Sequence, residues 1–320
     1  MKKCKLLAAL GLGASLYFAP APAAAAEISL SPAYGQLVAD SASMTGVKNG
    51  NVTYYFDLDS LALGLDVKGT ASFSNNGAAG TVIHTNYNVN GTLLTSNMFN
   101  TAGEAYLDDN SEHSISYYQN DKGKWEKKTT LKTDTSATSS SAMAAVNQLQ
   151  NVAKYQALIK DLKIIQDDER QRGYGMNIDG KLLGSILNDS IKSSVNAQNV
   201  LATNANADPQ DAKDMQKFLA VLEDICQNIP DSSIALYYSK KDGYMSTAQI
   251  NLTPVVRQVG MMLVNRTDNT MDAKDKEKIR TMLNYTTLTL EATLADVNSI
   301  APVTIPDKIA KSAKEAKENK

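Results

Sequence analysis

The chain has 320 residues, with 32 Lys and Arg against 34 Asp and Glu, a formal net charge of −2. A balance this close to neutral disfavours a nucleic-acid partner and a purely electrostatic hold on anionic lipid. Its two cysteines, Cys4 and Cys226, are too few for a disulfide-built scaffold, so the fold relies on an apolar core.

The first residues form three distinct parts. Lys2, Lys3 and Lys5 precede an uncharged apolar stretch from Leu6 to Phe18, which Pro20 and Pro22 break before the small residues Ala23 to Ala26. This pattern predicts a cleavable export signal over residues 1–26, its apolar part shorter than the ~20 residues of a spanning helix. Cys4 lies in the basic region, away from the cleavage point, which argues against a lipid anchor. Losing the three lysines leaves 29 basic against 34 acidic residues, a mature charge of −5. No later segment reaches spanning length. The expectation is a soluble protein of the periplasm, cell surface or medium.

Leu30 to Ala42 reads as one helix, after which the period changes. Val52, Tyr54, Phe56 and Leu58 alternate with polar neighbours, and Leu61, Leu63, Leu65, Val67, Gly69, Ala71 and Phe73 continue the pattern. Such alternation predicts strands with one dry face. Thr81–Val89 and Thr92–Asn100 read as two strands joined at the turn dipeptide Asn90-Gly91. Ala105–Leu107, Ser114–Tyr118, Trp125 and Thr129–Leu131 complete an antiparallel meander of about seven strands. A Ser/Thr-rich loop, Thr133 to Ser141, closes it.

Val146, Leu149, Val152, Ile159, Leu162 and Ile165 fall at helical spacing. After a short extended piece, Tyr174–Asp179, a second helix runs through Leu183 to Val195. A third opens at Asp208-Pro209 and stops before Pro230. Ser233–Ser239 and Tyr244–Leu252 read as a hairpin, Pro254–Val264 fits helix and strand equally, and Asp272–Leu283 reads as helix. Leu288, Leu290, Ala292 and Leu294 form a last strand. The lysine-rich tail, residues 307–320, reads as a solvated helix or disordered chain. The last strands are too few to stand alone and the helices need a surface to cover, which points to one domain over residues 27–306. The expected fold is α+β: a curved antiparallel sheet, an incomplete β-barrel, with helices packed on its concave face.

Sequence motifs for catalysis are absent: no GxSxG, P-loop or dinucleotide pattern, and His84 and His113 lack metal-ligand spacing. Neither an enzyme nor a cofactor is expected. Asp108, Asp109 and Glu112 read as a solvated turn, and Cys226 as a small buried hydrophobe. What remains is shape, since a dry sheet face roofed by amphipathic helices is a way to build an apolar cavity. Its candidate lining is Leu61, Leu63, Leu65, Val67 and Phe73, with Leu288, Leu290 and Leu294.

Four segments carry a resemblance. These are Tyr117-Tyr118-Gln119-Asn120-Asp121-Lys122-Gly123-Lys124-Trp125, the run from Tyr174 to Leu183, the hairpin Ile234–Leu252 with its Lys241-Asp242-Gly243-Tyr244 turn, and the close Val303-Thr304-Ile305-Pro306. In order and spacing they resemble the LolA-like and LppX/LprG-like superfamily of periplasmic lipoprotein carriers and lipid-binding lipoproteins. The resemblance implies an incomplete barrel with a helical lid that binds a lipid, acyl chain or lipid-modified protein without chemistry. It departs from the carriers proper in having no arginine before Arg170, so their arginine-held lid is not implied. The rival expectation is a structural or interaction protein of the envelope with a filled core.

Overall fold

The computed structural model describes residues 31–76, 80–93, 96–120, 122–131, 157–189, 219–266 and 271–316. The predicted signal, the Ser/Thr-rich loop and the helical readings over 146–156 and 190–218 lie outside them. The protein is α+β and is organised by one sheet of twelve strands that does not close on itself.

Helix α1 (Pro32–Ala42) starts the described chain. Ser31 caps it, its hydroxyl accepting from the Tyr34 amide at 3.3 Å, and Pro32 suits the first turn because its missing N–H needs no partner there. A 3₁₀ turn, Ser43–Gly46, leads into six strands: β1 (Asn49–Asp59), β2 (Leu63–Asn75), β3 (Thr81–Leu93), β4 (Ser96–Asp109), β5 (His113–Gln119) and β6 (Trp125–Leu131). They form an antiparallel meander in chain order.

The second half runs the other way. Strands β7 (Ile159–Asp167), β8 (Gln171–Ile178), β9 (Ser232–Ser239), β10 (Met245–Asn251) and β11 (Thr287–Ala295) lie in the order β11-β10-β9-β8-β7, with β11 antiparallel against β1. Helices α2 (residues 180–189) and α3 (residues 219–227) fall between β8 and β9. Helices α4 (Thr253–Arg266) and α5 (Ala273–Tyr285) join β10 to β11 and pack on each other, with Leu283 close over Gly260. The two meanders therefore share a single seam, β1–β11.

Two expectations are corrected, and the tail's reading as a solvated helix or disordered chain is met in part by a helix. Asn90-Gly91 is not a turn: β3 continues to Leu93, which shifts the hairpin by several residues and makes six strands of the expected seven or so. Ile159 to Ile165 is not helical but the bulged edge strand β7. The tail is folded as far as Ala316. Helix α6 (Asp307–Ser312) buries Ile309 with Tyr106 and Tyr117, and the two-residue β12 (Lys314–Glu315) pairs in parallel with β6.

Candidate functional site

Strand alternation gives the sheet two unlike faces, because successive side chains point to opposite sides. The pairing register tells which residues share a side. Phe56 stands opposite Val67 and Leu290, Leu58 opposite Leu65 and Leu288, and Val52 opposite Ala71 and Leu294. Across the outer strands the same face continues through Ile83, Tyr87, Val89 and Leu107 on one side and through Ala248, Ile250, Leu236, Tyr174 and Met176 on the other. This apolar face holds the main core.

Seven of the eight predicted lining residues meet on that face. Leu63, Leu65, Val67 and Phe73 come from β2 and Leu288, Leu290 and Leu294 from β11, on either side of β1. Leu61 sits in the β1–β2 turn. They do not form one environment, however. Val67 and Leu294 are buried in the core, whereas Leu61 and Leu63 are 57% and 41% exposed. Sequence reasoning left out the β3 and β4 contribution, Tyr87, Val89 and Leu107. Its only signal was alternation, which the misplaced turn at Asn90 obscured.

One end of the apolar face is covered. Leu37 of α1 is buried in the core with Tyr174 and Tyr238, and three polar anchors fix the helix there. Arg172 Nη1 donates to Asp40 Oδ2 at 3.1 Å, Tyr174 Oη donates to the same oxygen at 2.5 Å, and Ser41 Oγ lies 2.8 Å from Tyr238 Oη. Burial, reinforced by the bond to Asp40, holds the Tyr174 phenol well above its ordinary range, so it stays a donor at every physiological pH. Burial likewise pushes Tyr238 up to about 12. Arg172 Nε also reaches Asp167 at 3.2 Å, which Lys240 meets at 2.6 Å.

At the opposite end, where β1 leads to β2 and β3 to β4, several apolar side chains are exposed. Leu63 and Leu93 are direct cross-strand partners, Leu93 is 44% exposed, and Met98, in the bulge of β4, is 58% exposed. Between the two ends the face is packed core, with Val67 1% and Tyr54 6% exposed. The Tyr54 ring leans across Gly69, Tyr87 across Gly103 and Phe99 across Gly91, each occupying the place a Cβ would take. Tyr54 and Tyr87 lie over bare backbone as part of that packed core.

Both histidines of the described residues are paired with polar neighbours. His84 Nε2 lies 2.9 Å from Glu104 and its ring stacks on Tyr106 at 4.3 Å, while His113 meets Asn110 at 3.0 Å. Among the described residues no three His, Cys, Asp or Glu side chains converge as metal ligands, and no helix is long and apolar enough to cross a membrane. The class these features define is an α+β protein with an open, mostly antiparallel sheet, one of whose faces carries the main apolar core. No protein-family model matches the chain, and no curated protein matches it.

Proposed function

We propose that the protein binds an acyl chain, a lipid or a lipid-modified protein on the exposed end of its apolar face, without catalysis. It would act as an exported, soluble carrier or sensor in the periplasm or at the cell surface. In this reading the sheet curls as an incomplete barrel with its helices on the concave side, as in the LolA-like and LppX/LprG-like binders that the sequence resembles. The supporting observation is the exposure of Leu61, Leu63 and Leu93 at one end of the apolar face. Exposed apolar side chains that adjoin one another mark a contact surface more often than chance solvent exposure. Burying a chain there gains ~0.8 kcal/mol per methylene, so an ordinary acyl tail supplies enough for binding.

The test is mass spectrometry of lipids extracted from the purified protein, followed by titration with a fluorescent fatty acid. Co-purified lipid, and uptake that the double variant Leu63→Ser/Leu93→Ser abolishes while the fold stays intact, are the expected results. Both positions are exposed, so each substitution changes stability by within about 0.5 kcal/mol. A protein that emerges empty and ignores the fatty acid would overturn the reading in favour of an envelope interaction protein with a filled core.

A further inference from the structure

The second face of the sheet carries a feature that lipid binding does not use. A cleft of about 580 Å³ crosses it from β7 to β1. Its axis is a cross-strand row, Lys163–Gly175–Ala235–Gln249–Glu291–Tyr55, in which each residue pairs with the next across the sheet. Six strands with five gaps of about 4.8 Å make this trough about 24 Å long.

Its depth comes from the composition of the row. Ala235 puts only a methyl above the backbone, and at Gly175 the Ile165 side chain of β7 lies where a Cβ would stand. At one end stands Tyr55, with Lys68 Nζ 4.8 Å from the centre of its ring and its hydroxyl donating to Asp66 at 3.0 Å. At the other end the bulges of β7 swing Asp161 and Lys163 to the rim, Asp161 at φ 54. Bulges re-aim side chains at the rims of binding sites, and a non-glycine residue in the left-handed region takes that conformation at a cost.

The lining chemistry selects a class of ligand. Asn177, Asn251 and Thr289 along one lip, and Gln249 in the row, present neutral groups that each both donate and accept. Two of the amides are already aimed: Asn177 donates to Asp161 at 3.0 Å and Gln249 to Glu291 at 3.0 Å, which leaves their carbonyl oxygens for a ligand's hydroxyls. Every strand bordering the trough is paired on both sides except β7, so the floor offers no unpaired backbone row for an extended peptide to add to. A polyhydroxylated chain matches this lining, since its hydroxyls pair with amides and its C–H faces lie on an aromatic ring.

We infer that this trough is a binding site for an oligosaccharide segment, held by Gln249, Asn177 and Asn251 and stacked on Tyr55. Binding proceeds without cleavage. The carboxylates lining the trough, Asp161 and Glu291, stand on strands four gaps apart, about 19 Å. A glycosidase pair needs about 5 to 9.5 Å.

The test is titration of the protein from residue 27 onward, followed by amide NMR, with soluble hexasaccharides of β-linked glucose, β-linked N-acetylglucosamine and α-linked mannose, and with a random decapeptide pool. The expected result is saturable binding of at least one hexasaccharide. It should weaken about tenfold, about 1.4 kcal/mol, in Tyr55→Ala and in Gln249→Ala, persist in Tyr55→Phe, and vanish when Ala235→Tyr fills the floor. Gln249 is exposed and holds only a surface contact, so its variant folds even if Tyr55→Ala does not. Fatty-acid uptake should be unchanged in all four, because they alter the other face. No binding by any hexasaccharide, binding that Gln249→Ala and Ala235→Tyr leave intact, or saturable binding of the peptide pool alone would each overturn the inference.

Discussion

Asp57 and Asp66 face each other across β1 and β2 on the polar side of the sheet. Partial burial, and then the neighbouring Asp66 carboxylate, hold Asp57 above the usual carboxylate range. The folded chain thus binds this proton more tightly than the unfolded chain. Stability from this site is greatest in acid and falls as pH rises from about 4 through the raised value. Asp57→Asn should therefore raise stability at pH 7 by up to about 1 kcal/mol, discounted for solvent screening, and give no gain at pH 3. Urea unfolding at the two pH values checks this, and an equal effect at both would contradict it. The opposite sign holds for Asp167, Asp179 and Asp231, whose hydrogen bonds and lysine partners lower them, so that what they contribute is lost as the medium turns acid. The alternation around Tyr55 and Asp57 was plain in the sequence. That two carboxylates share a register was not, because register depends on how the 60–62 turn closes.

Strands were more legible than their ends. The alternating runs in β1, β2 and β11 follow from composition alone, and the structure places them as one face. The Asn90-Gly91 dipeptide misled because a local turn preference is worth less than a cross-strand contact. Phe99 lies over Gly91, which therefore serves mid-strand as ring space. In β7 the three-residue spacing from Ile159 to Leu162 imitates a helix, but it is the imprint of a bulge that inserts one residue into a two-residue period. Two glycines with different surroundings test the packing of rings over glycines. A Cβ at Gly69 would overlap the Tyr54 ring and the Asn86 carbonyl, so Gly69→Ala should cost about 1–3 kcal/mol. Gly35, in α1, has nothing near its would-be Cβ, and Gly35→Ala should gain about 0.5–1 kcal/mol. Denaturation midpoints read both, and shifts of the same sign would refute the ring-over-glycine picture.

At the scale of the molecule, α+β with one large antiparallel sheet was readable from strands at both ends of the chain that each needed a partner. Where α1 packs on the apolar face was not, since that depends on the Asp40, Ser41 and Leu37 contacts of α1 with β8 and β9, far away in sequence. The polar trough was hidden for the same reason, being written one or two residues at a time on six strands. Both meanders depend on the β1–β11 seam. A fragment of residues 31–131 keeps β1 to β6 but leaves β1 as an unpaired edge of eleven residues, so it should self-associate or stay unfolded. Size-exclusion chromatography with circular dichroism measures this, and a folded monomer would count against the seam's importance. The seam also sets a clock. Asp59 and its partner Thr287 are 228 positions apart (287 less 59), which takes roughly ten to fifty seconds to synthesise at ~5–20 residues per second. Until that last strand arrives the first meander has a bare edge, so each molecule's safety from its neighbours rests on how soon its own β11 follows β1 to the place of folding.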